Sequence, residues 1–315
     1  MAPAFRVHVI LVVLVCSRLS SVMGTNATES VVDVAANLNA SIFVDFVEKL
    51  PESLSHYLKN GKGPFTLFVP TNAAFAKLPA NIRNQLQTNK TYMMDVMSFH
   101  IGEGLELKAD FINERLIPTL YSANTQKRVR LNVYQKPAEK VYTASGAPVS
   151  RFDELASNGV VHLLDQVMYH LPSQSADDVI VLAPEYLQLD YLIEMSGLNA
   201  STIAGGGPFT FFAPTNEAIY SLPPGAMYEF EVNHMALIAV LQHHIVKGTY
   251  YAAGLYNGQI LQSYLGQDLK VILNGTVVLE SVDSPNTVTQ VTSADVSVTD
   301  GVMHGVNRMM LVRYN

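Results

Sequence analysis

The chain of 315 residues contains one cysteine, Cys16, and no tryptophan. Cys16 falls inside an apolar leader, so past residue 24 there is no thiol. That excludes disulfides and cysteine-ligated metal there. A fold outside the cell without disulfides must rely on a sizeable core. No apolar run reaches the roughly 20 residues that a membrane span needs; the longest covers residues 7–16. Charged residues are only 15% of the chain and form no block of one sign, which excludes a basic arm or an acidic tail. The net charge is −7, or −9 once Arg6 and Arg18 leave with residues 1–24. That balance argues against nucleic acid or an anionic membrane as the main partner. No G-x-S-x-G nucleophile elbow is present, and Gly205-Gly206-Gly207 lacks the Lys-Ser/Thr ending of a phosphate loop. A calcium loop and an Arg-Gly-Asp tripeptide are also missing.

The leader is informative in itself. Arg6 precedes the apolar stretch, and small residues lead to Val22-Met23-Gly24. This is the pattern of a cleaved secretion signal over residues 1–24, so the remaining chain is expected outside the cell. Five N-x-Ser/Thr sequons, at Asn26, Asn39, Asn89, Asn199 and Asn274, are expected to be surface glycan acceptors in a eukaryotic secretory pathway.

The dominant feature is a repeat. Gly63-Pro64-Phe65-Thr66-Leu67-Phe68-Val69-Pro70-Thr71-Asn72 returns as Gly207-Pro208-Phe209-Thr210-Phe211-Phe212-Ala213-Pro214-Thr215-Asn216. Carried on to Pro79 and Pro223, the two stretches are identical at eleven of 17 positions without a gap. His100-Ile101 answers His244-Ile245 at the same spacing of 144, and Asn158-Gly159-Val160-Val161-His162 answers Asp300-Gly301-Val302-Met303-His304 at 142. A period of this length is a whole domain rather than a solenoid unit. Two domains are expected, residues 25–174 and 175–315, with the boundary in the polar stretch between Pro172 and Asp178.

Local physics gives each copy its outline. Residues 65–69 form a short apolar run that reads as a buried strand. Pro70 ends it, Thr71 or Asn72 caps a helix, and Pro214 with Thr215 or Asn216 repeats the arrangement. Glu217 places negative charge in the first helical turn, where the helix dipole favours it. Residues 269–273 and 276–279 flank Asn274-Gly275, a hairpin signal. Residues 288–298 are rich in β-branched side chains and suit another strand. Helices first, then a strand, a helix and a run of strands imply α+β domains, each a β-sandwich or bent sheet with helices at one side.

The motifs at residues 66–75 and 210–219, with those at 158–168 and 300–310, resemble the fasciclin domain family. The resemblance covers nearly all of the chain past the leader, in two tandem copies. It implies a wedge-like β-sandwich flanked by helices, and a secreted matrix glycoprotein acting in cell adhesion or scaffolding. The partners it implies are matrix proteins or cell-surface receptors of the integrin type. Gly305 and Asn307 depart from the family pattern, which has an apolar residue and Asp there.

Candidate functional residues are few. His100, His162, His244 and His304 recur, and their expected role is to fix the last strand against the helices rather than to hold metal, because no Asp, Glu or His partner recurs at ligand spacing. The adjacent pair His243-His244 cannot share one face of a helix or strand. By resemblance, Phe99, His100, Ile101, His243, His244 and Ile245 are candidates for an adhesion surface, with Tyr250 and Tyr251 beside the second set. No catalytic residue, cofactor site or metal site is expected. Rival readings are a carrier of an apolar ligand, a protein of mineralised matrix and, least favoured, a hydrolase.

Overall fold

The computed structural model describes residues 28–121, 127–199, 206–283 and 288–312. The expected secretion signal over residues 1–24, Cys16 and Asn26 lie outside the described residues. The chain separates into two compact units: residues up to Leu131 with Tyr142–Tyr169, and Asn132–Val141 with His170 onward.

The first copy opens with three helices, α1 (Val31–Asn37), α2 (Ser41–Glu48) and α3 (Glu52–Asn60). Strand β1 (Phe65–Pro70) follows, then α4 (Asn72–Ala76), α5 (Ala80–Thr88) and α6 (Lys90–Phe99). Strands β2 (Ile101–Glu103), β3 (Arg115–Pro118), β4 (Arg128–Gln135), β5 (Lys140–Ala144), β6 (Ala147–Ala156) and β7 (Gly159–Leu164) complete it. The second copy runs α7 (Ala176–Leu182), α8 (Leu187–Ser196), β8 (Phe209–Pro214), α9 (Asn216–Tyr220), α10 (Ala226–Val232) and α11 (His234–His243). It closes with β9 (Ile245–Lys247), β10 (Ile260–Gln262), β11 (Asp268–Leu273), β12 (Val277–Ser281), β13 (Val288–Val298) and β14 (Gly301–Val306).

Each copy builds one seven-stranded sheet, in the order β2-β1-β7-β6-β5-β4-β3 and β10-β11-β12-β13-β14-β8-β9. The first strand lies parallel to the last: β1 beside β7, β8 beside β14. Both central pairs are buried along their whole length, as strands covered on both faces must be. In the second copy the two covering cores are visible. Phe209, Phe211 and Met303 pack with Leu192, Leu237 and Leu241 of the helices. Phe212 and Val306 point the other way, into a core with Leu269, Val271 and Leu279 of the same curled sheet. The two-residue period of the strand divides its side chains between these cores. Register shifts in β6 opposite β7, and in β13 opposite β14, add the local twist that bends the sheet. The architecture is α+β, as the sequence implied.

The caps follow the sequence closely. Thr71 and Thr215 accept from Ala74 N–H and Ala218 N–H, and Glu217 sits in the first turn of its helix. Asn72 and Asn216 are helical residues, and their side chains instead accept the N–H of Ile42 and of Gln188. Ser30 and Ser175 open α1 and α7 with capping boxes closed by Asp33 and Asp178. The next N–H of each helix, from Val31 and from Ala176, donates to the side chain of Asn158 and of Asp300. The first helix of a copy is thereby tied to the turn before its last strand.

The predicted hairpin forms with one difference. Leu273 pairs with Val277, so the turn has three residues, Asn274, Gly275 and Thr276. Gly275 adopts φ 72, a left-handed conformation that glycine enters without steric cost. At Gly159 and Gly301 a Cβ would overlap the backbone oxygen of Phe65 and of Phe209. The glycine of the motif is required by the close approach of two parallel strands.

Candidate functional site at the paired histidine junctions

Two histidines of each copy link the helices, the central strands and the loops. His100 follows the last turn of α6, and its Nδ1–H donates to Val96 O at 2.7 Å. Its Nε2 accepts the N–H of Met168 at 3.1 Å, beyond the end of β7. His244 repeats both bonds, to Val240 O at 2.8 Å and from Met310 N–H at 2.9 Å. Burial pushes His100 down to about 4 and His244 to about 3, from the ordinary 6.5. Each ring is neutral, with one nitrogen donating and the other accepting.

His162 and His304 lie on the last strands. Their Nε2–H groups donate to the carbonyls of Glu106 at 2.7 Å and Tyr250 at 2.9 Å. Their Nδ1 atoms accept the backbone N–H of Asp153 and Asp295, both at 3.2 Å. These aspartates occupy the sheet bulges with φ 60 and φ 64. Their carboxylates accept the N–H of Lys108 and Ala252 and stand 4.0 Å from the imidazoles. An acidic residue therefore recurs nine residues before each histidine. It acts through its backbone N–H and a loop cap, not as a proton acceptor, because Nδ1 already receives a hydrogen bond. Burial holds both imidazoles below the ordinary range. Thr66 and Thr210 complete the same loops, donating to Gly104 O and Gly248 O and accepting from the N–H of Glu106 and Tyr250. The equal spacing of Asp153 and Asp295 in the repeat was the available sequence signal for these partners.

The proposed adhesion residues are not at the surface. Phe99, His100, Ile101, His243, His244 and Ile245 are all fully buried, so these six side chains cannot form a contact face. The physical reason is their place at the joint between the last helix and the edge strand, where both layers cover them. Tyr251 is buried too, and Tyr250 half-buried. His243 makes two further bonds, to the hydroxyls of Ser263 and Ser281 at 3.2 Å each, and burial lowers it to about 4. Asn39, Asn89, Asn199 and Asn274 are exposed. Among the described residues, no group of three or more His, Cys, Asp or Glu side chains is placed to hold a metal ion. No described helix is long and apolar enough to cross a membrane.

Outside these junctions, a groove of about 690 Å³ runs along the helices of the first copy. Its floor is Ile42, Phe46, Leu86 and Met93, and its edge is Asp45, Lys49, Gln87, Thr88 and Lys90.

Both copies match a known family. The fasciclin domain model matches residues 38–170 and again residues 184–312. The chain belongs to the fasciclin family. It is 25% identical over 279 residues to the transforming growth factor-beta-induced protein ig-h3 of Sus scrofa, covering 88% of this chain and 38% of that protein. It is 25% identical over 252 residues to periostin of Homo sapiens, covering 80% of this chain and 29% of that one. The chain thus spans about a third of the length of these relatives. Among solved structures, the fasciclin domain pair of the insect cell adhesion molecule Fasciclin I is matched over 89% of this chain and 95% of that chain, at 18% identity and a TM-score of 0.38.

Proposed function

We propose that this fasciclin-domain pair is a secreted glycoprotein of the extracellular matrix, acting in cell adhesion or scaffolding through its surfaces and without catalysis. The domains would be residues 25–174 and 175–315, after removal of residues 1–24. The carrying observation is the use of the motif histidines. All four are buried with both ring nitrogens engaged in internal hydrogen bonds, so the repeated polar residues hold the fold. Function is then left to exposed side chains and to glycans on the exposed sequons. Matrix proteins and integrin-type receptors are the proposed partners.

The test is attachment of cells to the purified, glycosylated chain, with and without EDTA. Attachment that EDTA removes is expected for an integrin-type partner. Absence of attachment by folded protein would discard the direct adhesive role.

A carrier role is the second reading, favoured by the apolar floor of the first-copy groove. Native mass spectrometry would detect a stoichiometric small ligand if that role were correct.

A further inference from the structure

The helical layers of the two copies differ in charge far more than in fold. Residues 28–99 carry six acidic and six basic side chains, whereas residues 171–243 carry eight acidic and no Lys or Arg. Two anchors set the register between the layers. Asn72 and Asn216 accept the N–H of Ile42 and Gln188, and Asn89 and Asn233 cap α6 and α11. Carried through this register, the charged edge of the first-copy groove changes character. Asp45 becomes Tyr191, Lys49 becomes Met195, Thr88 becomes Val232 and Lys90 becomes His234.

Three of these positions, Tyr191, Val232 and His234, are open to solvent, and Met195 is half-buried. Tyr191 and Val232 are 48% and 58% exposed, and Leu187 and Met235 are 53% and 72% exposed. Leu187 lies one helical turn from Tyr191, on the same face. Glu194, Glu229 and Glu231 are also exposed on these helices. Burying such apolar side chains on association is favourable, and tyrosine is a frequent anchor of contact surfaces.

We propose that this face of the second copy is a docking surface for a protein segment presenting Lys or Arg beside aliphatic side chains. The apolar residues supply the buried centre, and the uncompensated carboxylates select and steer a basic partner. The same carboxylates disfavour nucleic acid and anionic lipid, and they repel an identical face on another copy of this chain. The inference rests on the adhesive or scaffolding reading only in taking a protein as the partner. Peptide binding is read without cells, so failure of either test is separable from failure of the other.

The probes are three fluorescent amphipathic peptides of about 18 residues, long enough to form a helix: one of Leu and Lys, one with Lys replaced by Glu, one with Leu replaced by Gln. Binding to the full glycosylated chain is followed by anisotropy over a range of salt. The Leu/Lys peptide is expected to bind at least about tenfold more tightly than either control. The double variant Tyr191→Ser with Val232→Ser leaves the charge unchanged and is expected to weaken it about tenfold. The pair Glu229→Gln with Glu231→Gln should weaken it and flatten its salt dependence, and it carries the test should the first variant lose its circular dichroism signal. Lys49→Ser in the first copy should leave binding unchanged. Equal binding of all three peptides would overturn the proposal, as would unchanged binding by the Tyr191 and Val232 variant. So would a dimer that this variant separates, which would assign the face to self-contact.

Discussion

The two copies make the same hydrogen bonds with different neighbours, and the difference shows what the fold demands. Histidine, threonine and aspartate recur where a buried carbonyl or N–H would otherwise lack a partner. Apolar volume is not held in the same way. Phe99 of the first copy, edge-on to Tyr121 at 6.4 Å, stands where the second has His243 between two serine hydroxyls. Buried Ala40 and Leu163 stand where the second copy has Tyr186 and Gly305. A Cβ on Gly305 would lie 2.8 Å from the Tyr186 hydroxyl, so a larger residue there would have to displace the Tyr186 ring. Packing can exchange volume between neighbours, whereas an unpaired polar group costs its full desolvation.

The strongest way to break the likeness is to remove a junction histidine. His244→Ala is expected to destabilise the second copy by about 3 kcal/mol, since it leaves a cavity and strands Met310 N–H. His100→Ala should cost the first copy a similar amount, and urea unfolding followed by tyrosine fluorescence measures both. Unequal losses would show that the junctions are not equivalent.

The volume exchange is tested by Gly305→Leu, the first-copy residue placed in the second. About 2 kcal/mol of destabilisation is expected from the overlap with Tyr186. Adding Tyr186→Ala should recover most of it, and a double-mutant cycle on melting curves reads the coupling. Strictly additive losses would sink the idea of compensation.

The smallest effect separates the copies by pH. A folded imidazole pKa below the unfolded value means that the unfolded chain binds the proton first. That stability is fully present above about 6.5 and is lost as pH falls towards the folded values. These are about 4 for His100 and His243 and about 3 for His244. The second copy has the buried His243 where the first has Phe99, and this position should widen the gap in stability between the copies from pH 6 to 4. His243→Phe should narrow that gap, checked by melting temperature against pH.

Much of this was legible in the residues. The apolar run ending at Pro70 gave β1, Thr71 gave the cap, and the β-branched run over residues 288–298 gave β13. Asn274-Gly275 marked a turn, although the added residue Thr276 depends on pairing that only the strands set. The adhesion candidates failed for a physical reason: Phe99-His100-Ile101 reads alike as an exposed patch or an interior joint, and only the layers on either side decide. Asp153 was also passed over. Its contribution is a backbone N–H in a left-handed bulge, and side-chain chemistry gives no sign of that. The charge contrast between the helical layers was present in the sequence from the start. It gained meaning only once Asn72 and Asn216 set the register.

The capping boxes at Ser30 and Ser175, their ties to Asn158 and Asp300, and the bonds to Met168 and Met310 have a consequence for ancestry. Each copy fastens its own first helix and its own last segment to itself. A gene segment encoding such a cassette can be copied in tandem with these ties intact, because each of them joins two residues of one copy. Each copy is then free to change its surface charge while the other keeps its own.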